Sequence, residues 1–193
     1  MEKRRAFIEF EGVPNPEAIK LVVKNGILTD EPYVYTDWSK AETSPLAKKF
    51  LMLRYVDQVF MHYNYITILK TPGSPHWDSL LPELRMMLQQ HLEDNEPIMY
   101  LGAEKLEHPK SDDVIIKMIQ EILDKQLRPY AHEDGGDFVI ESYEDGVLNL
   151  SMHGSCRRCP YAAQTLKDGV EKLLNHMIPE VKQVVALDNN VLK

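Results

Sequence analysis

The sequence predicts an α+β protein of two small α/β-type domains, the second an α-β-β-α-β unit whose short mixed sheet carries helices on one face. Three observations carry this. The chain has 193 residues, enough for one domain or two small ones. A polar stretch from Leu101 to Lys110 has Gly and Pro near its ends and no periodicity, which reads as a connection between two sets of elements. After it, an amphipathic helix, two strand runs, a second helix and a last strand run follow in that order. The expected boundaries are 1–103 for the first domain, 104–110 for a mobile linker and 111–193 for the second.

In the first domain a strand is expected around Ala6 to Phe10, then a turn at Gly12 to Pro16. The run AIKLVVK has the β-branched content of a strand, and Tyr33 to Thr36 is a further short one. Ser44 then suits an N-cap and Pro45 the first helical position, with Leu46, Phe50 and Leu53 at helical spacing. VDQVFMHYNYITILK reads as two strands about a turn near His62 to Asn64. A long helix is predicted from about Trp77 to Leu92, with Leu80, Leu81, Leu84, Met87, Leu88 and Leu92 on one face. Trp38 and Trp77 are expected in a core or an interface.

The second domain starts with a helix from Ser111, with Asp112 and Asp113 in its first turn, where negative charge complements the dipole. Ile115, Met118, Ile119, Ile122 and Leu123 form its apolar face, and Pro129 stops it near Leu127. His132 to Asp137 turn sharply. FVIES and VLNLSM are strands joined by YEDG, in which Asp145-Gly146 is a hairpin signal. A helix is then predicted from Pro160 to about Met177, with Ala163, Leu166, Val170, Leu173, Leu174 and Met177 inward. PEVKQVVALD supplies the last strand.

The composition is that of an ordinary globular protein, 44% hydrophobic and 27% charged, with a net charge of −8. Both halves are acidic and no basic stripe follows the chain, so nucleic acid is not an expected partner. No apolar run approaches the ~20 residues of a membrane span. The first residues lack the apolar core of a secretory signal, and their glutamates argue against a transit peptide, so the expected location is the cytoplasm.

Chemistry concentrates in HGSCRRCPYAAQTL, which holds Cys156 and Cys159, the two cysteines of the chain. Two cysteines are too few for a disulfide scaffold, and a C-x-x-C in a reducing compartment points to metal or redox chemistry. The spacing puts both sulfurs at a strand-to-helix corner, with Pro160 at the first helical position and Cys159 at or beside the N-cap. The helix dipole, Arg157 and Arg158 are then expected to favour thiolates. Two thiolates are half of the four-cysteine set that holds a 2Fe-2S or 4Fe-4S cluster, and a two-fold dimer would complete it. A cluster shared at such a seam leaves when the chains part, which suits a carrier. A thioredoxin-like dithiol, half of a zinc site and two incidental thiols remain open. Against the first stand the arginines between the cysteines and the element order. Against the second stands the absence of another C-x-x-C or a histidine pair at finger spacing. His153, at a strand end, reads as a surface residue rather than a ligand.

Several separated motifs resemble one family. Arg128-Pro129, Asp134 to Asp137, Gly154 to Pro160, Thr165-Leu166, Gly169 to Glu171 and Pro179 to Val181 match, in order, the R-P, D-G-G-D, G-x-C-x-x-C-P, T-L, G-[VI]-E and P-E-V pattern of the C-terminal domain of NifU-like (Nfu-type) iron–sulfur cluster scaffold proteins. PNPEAIKL, SPLAKKF, VDQVFMHYNYITILK and W…LLPEL resemble that family's N-terminal domain. Tyr161-Ala162 depart from it, standing where small polar residues are common.

The resemblance implies that Cys156 and Cys159 ligate a 4Fe-4S cluster bridging two chains. It implies a carrier rather than an enzyme, with apo iron–sulfur clients and an upstream assembly machinery as partners. The first domain is expected to recognise those partners. The glycines of D-G-G-D are read as a tight turn, Asp134 and Asp137 as turn and capping acceptors. Arg157 and Arg158 are read either as a solvated edge or as charges that offset the cluster or steer an acidic client.

Overall fold

The computed structural model describes residues 6–108 and 113–187; the side chains of residues 162, 163 and 166–168 lie outside that description. The chain forms two compact units, Met1–Leu106 and Glu107–Lys193.

In the first unit β1 (Ile8–Gly12), β2 (Ala18–Val23), β3 (Thr29–Tyr35), β4 (Val56–Tyr63) and β5 (Tyr65–Lys70) form one sheet in the order β1-β2-β5-β4-β3. Every pairing is antiparallel. The β4–β5 hairpin pairs His62 with Tyr65 and turns through Tyr63, at φ +52. Two helices, α1 (Pro45–Leu51) and α2 (Trp77–Glu93), cover one face. Ser44 caps α1 as its sequence suggests: its hydroxyl accepts the Ala47 N–H at 3.1 Å, and it donates to the Ile98 carbonyl at 2.8 Å. Leu46 and Phe50 from α1 meet Leu84 and Leu88 from α2 over Leu21, Val59, Ile66 and Ile68. Burying each such side chain is worth about 1.5–3 kcal/mol.

His91 of α2 is also fully buried, which its apolar pattern does not announce; its Nε2 lies 3.2 Å from the Pro97 carbonyl. Trp77 packs at the edge of this core and donates to the Pro16 carbonyl at 2.9 Å, whereas Trp38 is more than half exposed. The second sheet face carries a smaller cluster, Val22, Phe60 and Tyr65, against which Leu106 packs. The Leu106 N–H donates to the Pro32 carbonyl at 2.7 Å, and Lys105 pairs with Glu31 at 3.0 Å. The start of the stretch expected to be loose is therefore fastened to β3. Its polar composition hides one apolar anchor.

The second unit starts with α3 (Val114–Gln126). Asp113 is its N-cap, accepting the N–H groups of Ile115 and Ile116 at 2.8 and 3.1 Å. The expected start at Ser111 and Asp112 falls outside the described residues. Ile119, Ile122 and Leu123 are buried as predicted, while Met118 on the same face is exposed. Pro129 does not simply end this helix. It opens a second one, α4 (Arg128–Glu133), because proline is favoured in a first helical turn as much as it is excluded from an interior.

Strands β6 (Gly136–Glu144) and β7 (Val147–Gly154) form the expected hairpin, with Asp145 and Gly146 at φ +51 and +86, the pair of left-handed residues such a two-residue turn demands. β8 (Gln183–Leu187) adds parallel to β7, giving a mixed three-stranded sheet β6-β7-β8. Phe138, Ile140, Leu148, Leu150 and Met152 share a core with Ile119, Leu123, Val170 and Leu174 from the helices.

The last helical stretch differs from one continuous helix out of Pro160. It begins with α5 (Ala162–Thr165), widens into a π-helical stretch at Leu166–Glu171, and closes as α6 (Lys172–Met177). Val170 and Leu174 face the core as predicted and Leu173 is partly buried, but Met177 is half exposed. Among the described residues no helix is long and apolar enough to cross a membrane.

Candidate functional site

The site is built where β7 ends. Gly154 leaves the strand at φ +59, and residues 155–158 turn tightly. The Cys156 N–H donates to the His153 carbonyl at 3.2 Å, Arg157 N–H to Gly154 at 3.2 Å, and Cys159 N–H to Cys156 at 3.4 Å. Arg158 takes a left-handed φ of +53. These turns use up residues before the helix can start, so it opens at Ala162, beyond Pro160. Cys159 is consequently not the N-cap, and the positive end of the helix lies further along than the spacing suggests. Both cysteines are free and partly buried.

The β6–β7 register explains why D-G-G-D and C-x-x-C occur in one domain. Gly136 pairs with Gly154 and Asp137 with His153, so the two motifs lie side by side. The two glycines have different reasons to be there. Gly135 needs its left-handed φ of +79, and its carbonyl accepts the Ser155 N–H at 3.2 Å. Gly136 is required by contact: a Cβ there would lie 2.6 Å from the Cys156 sulfur, and 2.8 Å from both the Cys156 nitrogen and the His153 carbonyl oxygen.

This packing reverses one expectation. Burial pushes the Cys156 thiol up to about 12, with Cys159, Asp137 and Asp134 adding in the same direction and only the Ser155 contact opposing. Loss of water around the sulfur dominates, and the positive charges of the loop do not bring the thiol down. Arg157 is not a solvated edge either. It is 5% exposed, and it stands close enough to His153 to oppose that ring's protonation. Arg158 is half-buried. His153 is no surface histidine: burial holds its pKa down at about 4, and its Nε2 lies 3.3 Å from the Ser151 hydroxyl.

Beneath the loop Asp137 is fully buried. One of its oxygens accepts from Arg128 and from the Phe138 N–H at 2.8 Å. The other faces Nε2 of His108 at 3.4 Å and of His132 at 3.3 Å. Although burial works the other way, these partners hold the carboxyl far below the ordinary carboxylate range. Asp137 is thus more than a turn acceptor. The sequence placed Asp137 and Arg128 in separate motifs with no sign that they meet, and His108 carried no local signal at all.

A small α+β unit that presents two free thiols at one corner, over a buried ionic cluster, defines a domain able to supply two soft sulfur ligands or a dithiol. The comparisons with known proteins narrow that class. Residues 119–185 match the NifU-like domain, and residues 8–95 match the N-terminal domain of scaffold protein Nfu/NifU. The chain belongs to the Nfu/NifU family of scaffold proteins.

It is 36% identical over 187 residues to a protein of Drosophila willistoni named NFU1 iron-sulfur cluster scaffold homolog, mitochondrial, covering 95% of this chain and 64% of that one. The Drosophila persimilis protein of the same name is 36% identical over 185 residues, covering 94% and 65%. The chain therefore spans just under two thirds of these relatives' length. The solution structure of a NifU-like protein from Saccharomyces cerevisiae is 25% identical, with a TM-score of 0.43, and covers 51% of this chain and 89% of that one.

Proposed function

We propose that this chain is an iron–sulfur cluster carrier, and that Cys156 and Cys159 of two copies together hold a 4Fe-4S cluster that is passed on to apo-proteins. The observation that carries the reading is the pair of free thiols on one rigid corner, with Gly136 packed against Cys156. The donor set fits the cargo. Soft thiolates are the usual ligands of such clusters, four are the usual number, and each chain owns two. The short spacing lets both sulfurs of one chain reach the same small inorganic core. A core completed by a second copy lies at a seam, so separation of the copies releases it.

The burial of Cys156 supports this reading over a thiol–disulfide oxidoreductase. A redox dithiol has to be a thiolate before its substrate arrives. A ligand gives up its proton to the incoming metal charge, so a thiol protonated in the empty protein still serves. The chain's own part is to hold the sulfurs in register and to exclude water from one of them. It performs no turnover. The partners of this reading are apo iron–sulfur clients, an upstream assembly machinery and a second copy of the chain, with the first unit as the recognition surface.

Anaerobic reconstitution with iron and sulfide tests it. Loaded protein is expected to be a dimer with about one 4Fe-4S per two chains, by the four-cysteine count, and Cys156→Ser or Cys159→Ser to lose stable loading. A stably loaded single copy would overturn the shared cluster. Disulfide reductase activity without iron uptake would favour the dithiol.

A further inference from the structure

We infer that the buried cluster of Arg128, His108, His132 and Asp137 is a clamp that positions Cys156, and thereby sets how firmly the cargo is held. The inference rests on the carrier reading for its consequence, but not for its geometry.

Asp137 directly follows the two residues that touch the cysteine loop. Gly135 binds the Ser155 N–H, and Gly136 leaves no space for even a methyl group beside the Cys156 sulfur. Any slip of β6 along or away from β7 is passed to that sulfur. What pins β6 at this point is the Asp137 carboxylate. Arg128 binds it and also donates to the Phe138 carbonyl at 3.1 Å, so one guanidinium grips two successive residues of the strand. The same guanidinium stacks on the Phe138 ring at 4.6 Å, and is itself held by Asp124 at 2.8 Å through Nε. His132 approaches from α4. His108 approaches from the start of the second unit, 3.3 Å from Arg128 and 3.4 Å from Asp137.

An apolar residue of similar volume would often serve stability as well as a buried ion cluster does. What the Arg128 contacts add is a fixed position, because each of their hydrogen bonds specifies a distance and an angle that packing alone leaves looser, while the two histidines close on the other carboxylate oxygen at ion-pair distance. Here that position is one residue away from the contact with Cys156. Arg128, His108, His132 and Asp137 are positioning residues: none is placed to touch the cargo, and each acts through β6.

The test reads the metal-free, full-length chain first. Iodoacetamide alkylation of Cys156 and of Cys159 is followed separately by peptide mass spectrometry. Arg128→Lys keeps the charge of the cluster and the Asp137 carboxylate that raises the Cys156 thiol. In Arg128→Lys and in Asp137→Asn, the rate at Cys156 relative to Cys159 is expected to rise by about tenfold, the factor corresponding to about 1.4 kcal/mol of local opening. A rise in Asp137→Asn alone reads the lost charge and overturns the clamp. Ile119→Val, a truncation in the same core away from the loop, should lower thermal stability without changing that ratio. His108→Gln removes one member from outside the strand and carries the same test if Asp137→Asn does not fold. An unchanged ratio in the folded clamp variant, or an equal change in Ile119→Val, overturns the clamp.

The second measurement uses reconstituted protein. Clamp variants are expected to show an altered visible circular dichroism spectrum of the bound cluster and faster loss to an added chelator. If the alkylation ratio shifts as expected while even the parent chain takes up no iron and sulfide, the clamp stands and the carrier reading falls. If the parent loads and the ratio does not move, the carrier reading stands and the clamp falls.

Discussion

The two units solve the same packing problem and put their polar groups to different use. Each lays helices on one face of a sheet. In the first unit the buried cations tie strands and turns together: Lys20, in the middle of β2, reaches Glu11 of β1 at 3.4 Å, and Lys70, at the end of β5, reaches the carbonyls of Ser74 and Pro75 at 3.4 and 3.1 Å. In the second, a buried carboxylate lies under the cysteine loop, and left-handed backbone at Gly135, Gly154 and Arg158 gathers around the same place. Buried charge and strained backbone cost stability wherever they stand. In the first unit they link neighbouring strands and turns, and in the second they shape a site.

The sharpest way to break this comparison is to damage one core and watch the other. Phe50→Ala should cost about 3–5 kcal/mol, as a fully buried aromatic truncated to a methyl does. In the full-length chain, calorimetry is expected to show the first unit's transition lowered or lost, with the second unit's transition kept. A single merged transition that falls as a whole would contradict two separately cooperative units.

Acid comes next. The folded pKa of His153, at about 4, lies below the ordinary 6.5, so the unfolded chain binds that proton more tightly. Stability should therefore fall as pH drops from about 6.5 toward 4, by at most about 1.4 kcal/mol per pH unit. His153→Gln should flatten that decline. Asp137 has the same sign in a lower window: its folded pKa is depressed, so its contribution is full above the unfolded carboxylate value near 3.8 and is lost below it. His91 is also held down by burial and makes the first unit acid-sensitive, starting from the same upper limit. Thermal melts from pH 7 to 4 on parent and variants measure the two histidine effects, and melts carried below pH 4 measure that of Asp137.

Glycine substitutions sharpen the contrast further. Gly136→Ala forces a methyl into Cys156 and should cost about 1–3 kcal/mol, with loss of stable cluster loading. Gly12→Ala, in the first unit's edge strand, meets nothing within 4 Å and should stay within about 0.5 kcal/mol of the parent. The smallest difference lies in the helix caps. Ser44→Ala and Asp113→Ala should each cost about 1 kcal/mol. Ser44 is expected to cost more, since its hydroxyl also satisfies the Ile98 carbonyl. Denaturant midpoints resolve both pairs.

Much of this architecture was legible because it is written in local code. The β-branched run of β2, the hairpin signal at Asp145-Gly146, the Ser44-Pro45 start of α1 and the leucine stripe of α2 each act over a few residues. The misreadings share the opposite property. Pro129 was legible as a stop but not as the start of α4, since both uses obey the same rule and only the neighbouring packing chooses. The helix after Pro160 starts late because Arg158 takes a left-handed turn that no residue type there announces. His91, Arg157 and Asp137 were legible as polar residues but not as buried ones, because burial depends on what arrives from elsewhere in the chain.

By itself, the sequence determined most of the strands and helices, their hairpin turns and caps, the pair of thiols three residues apart and the order of motifs around them. These follow from backbone preferences and side-chain chemistry that act within one or two turns. Tertiary structure alone decided that Gly136 lies against Cys156, that Asp137 draws His108, Arg128 and His132 together, and that desolvation dominates at the Cys156 sulfur. Each of these depends on strand register and on removal from water, and both are set only when distant segments meet.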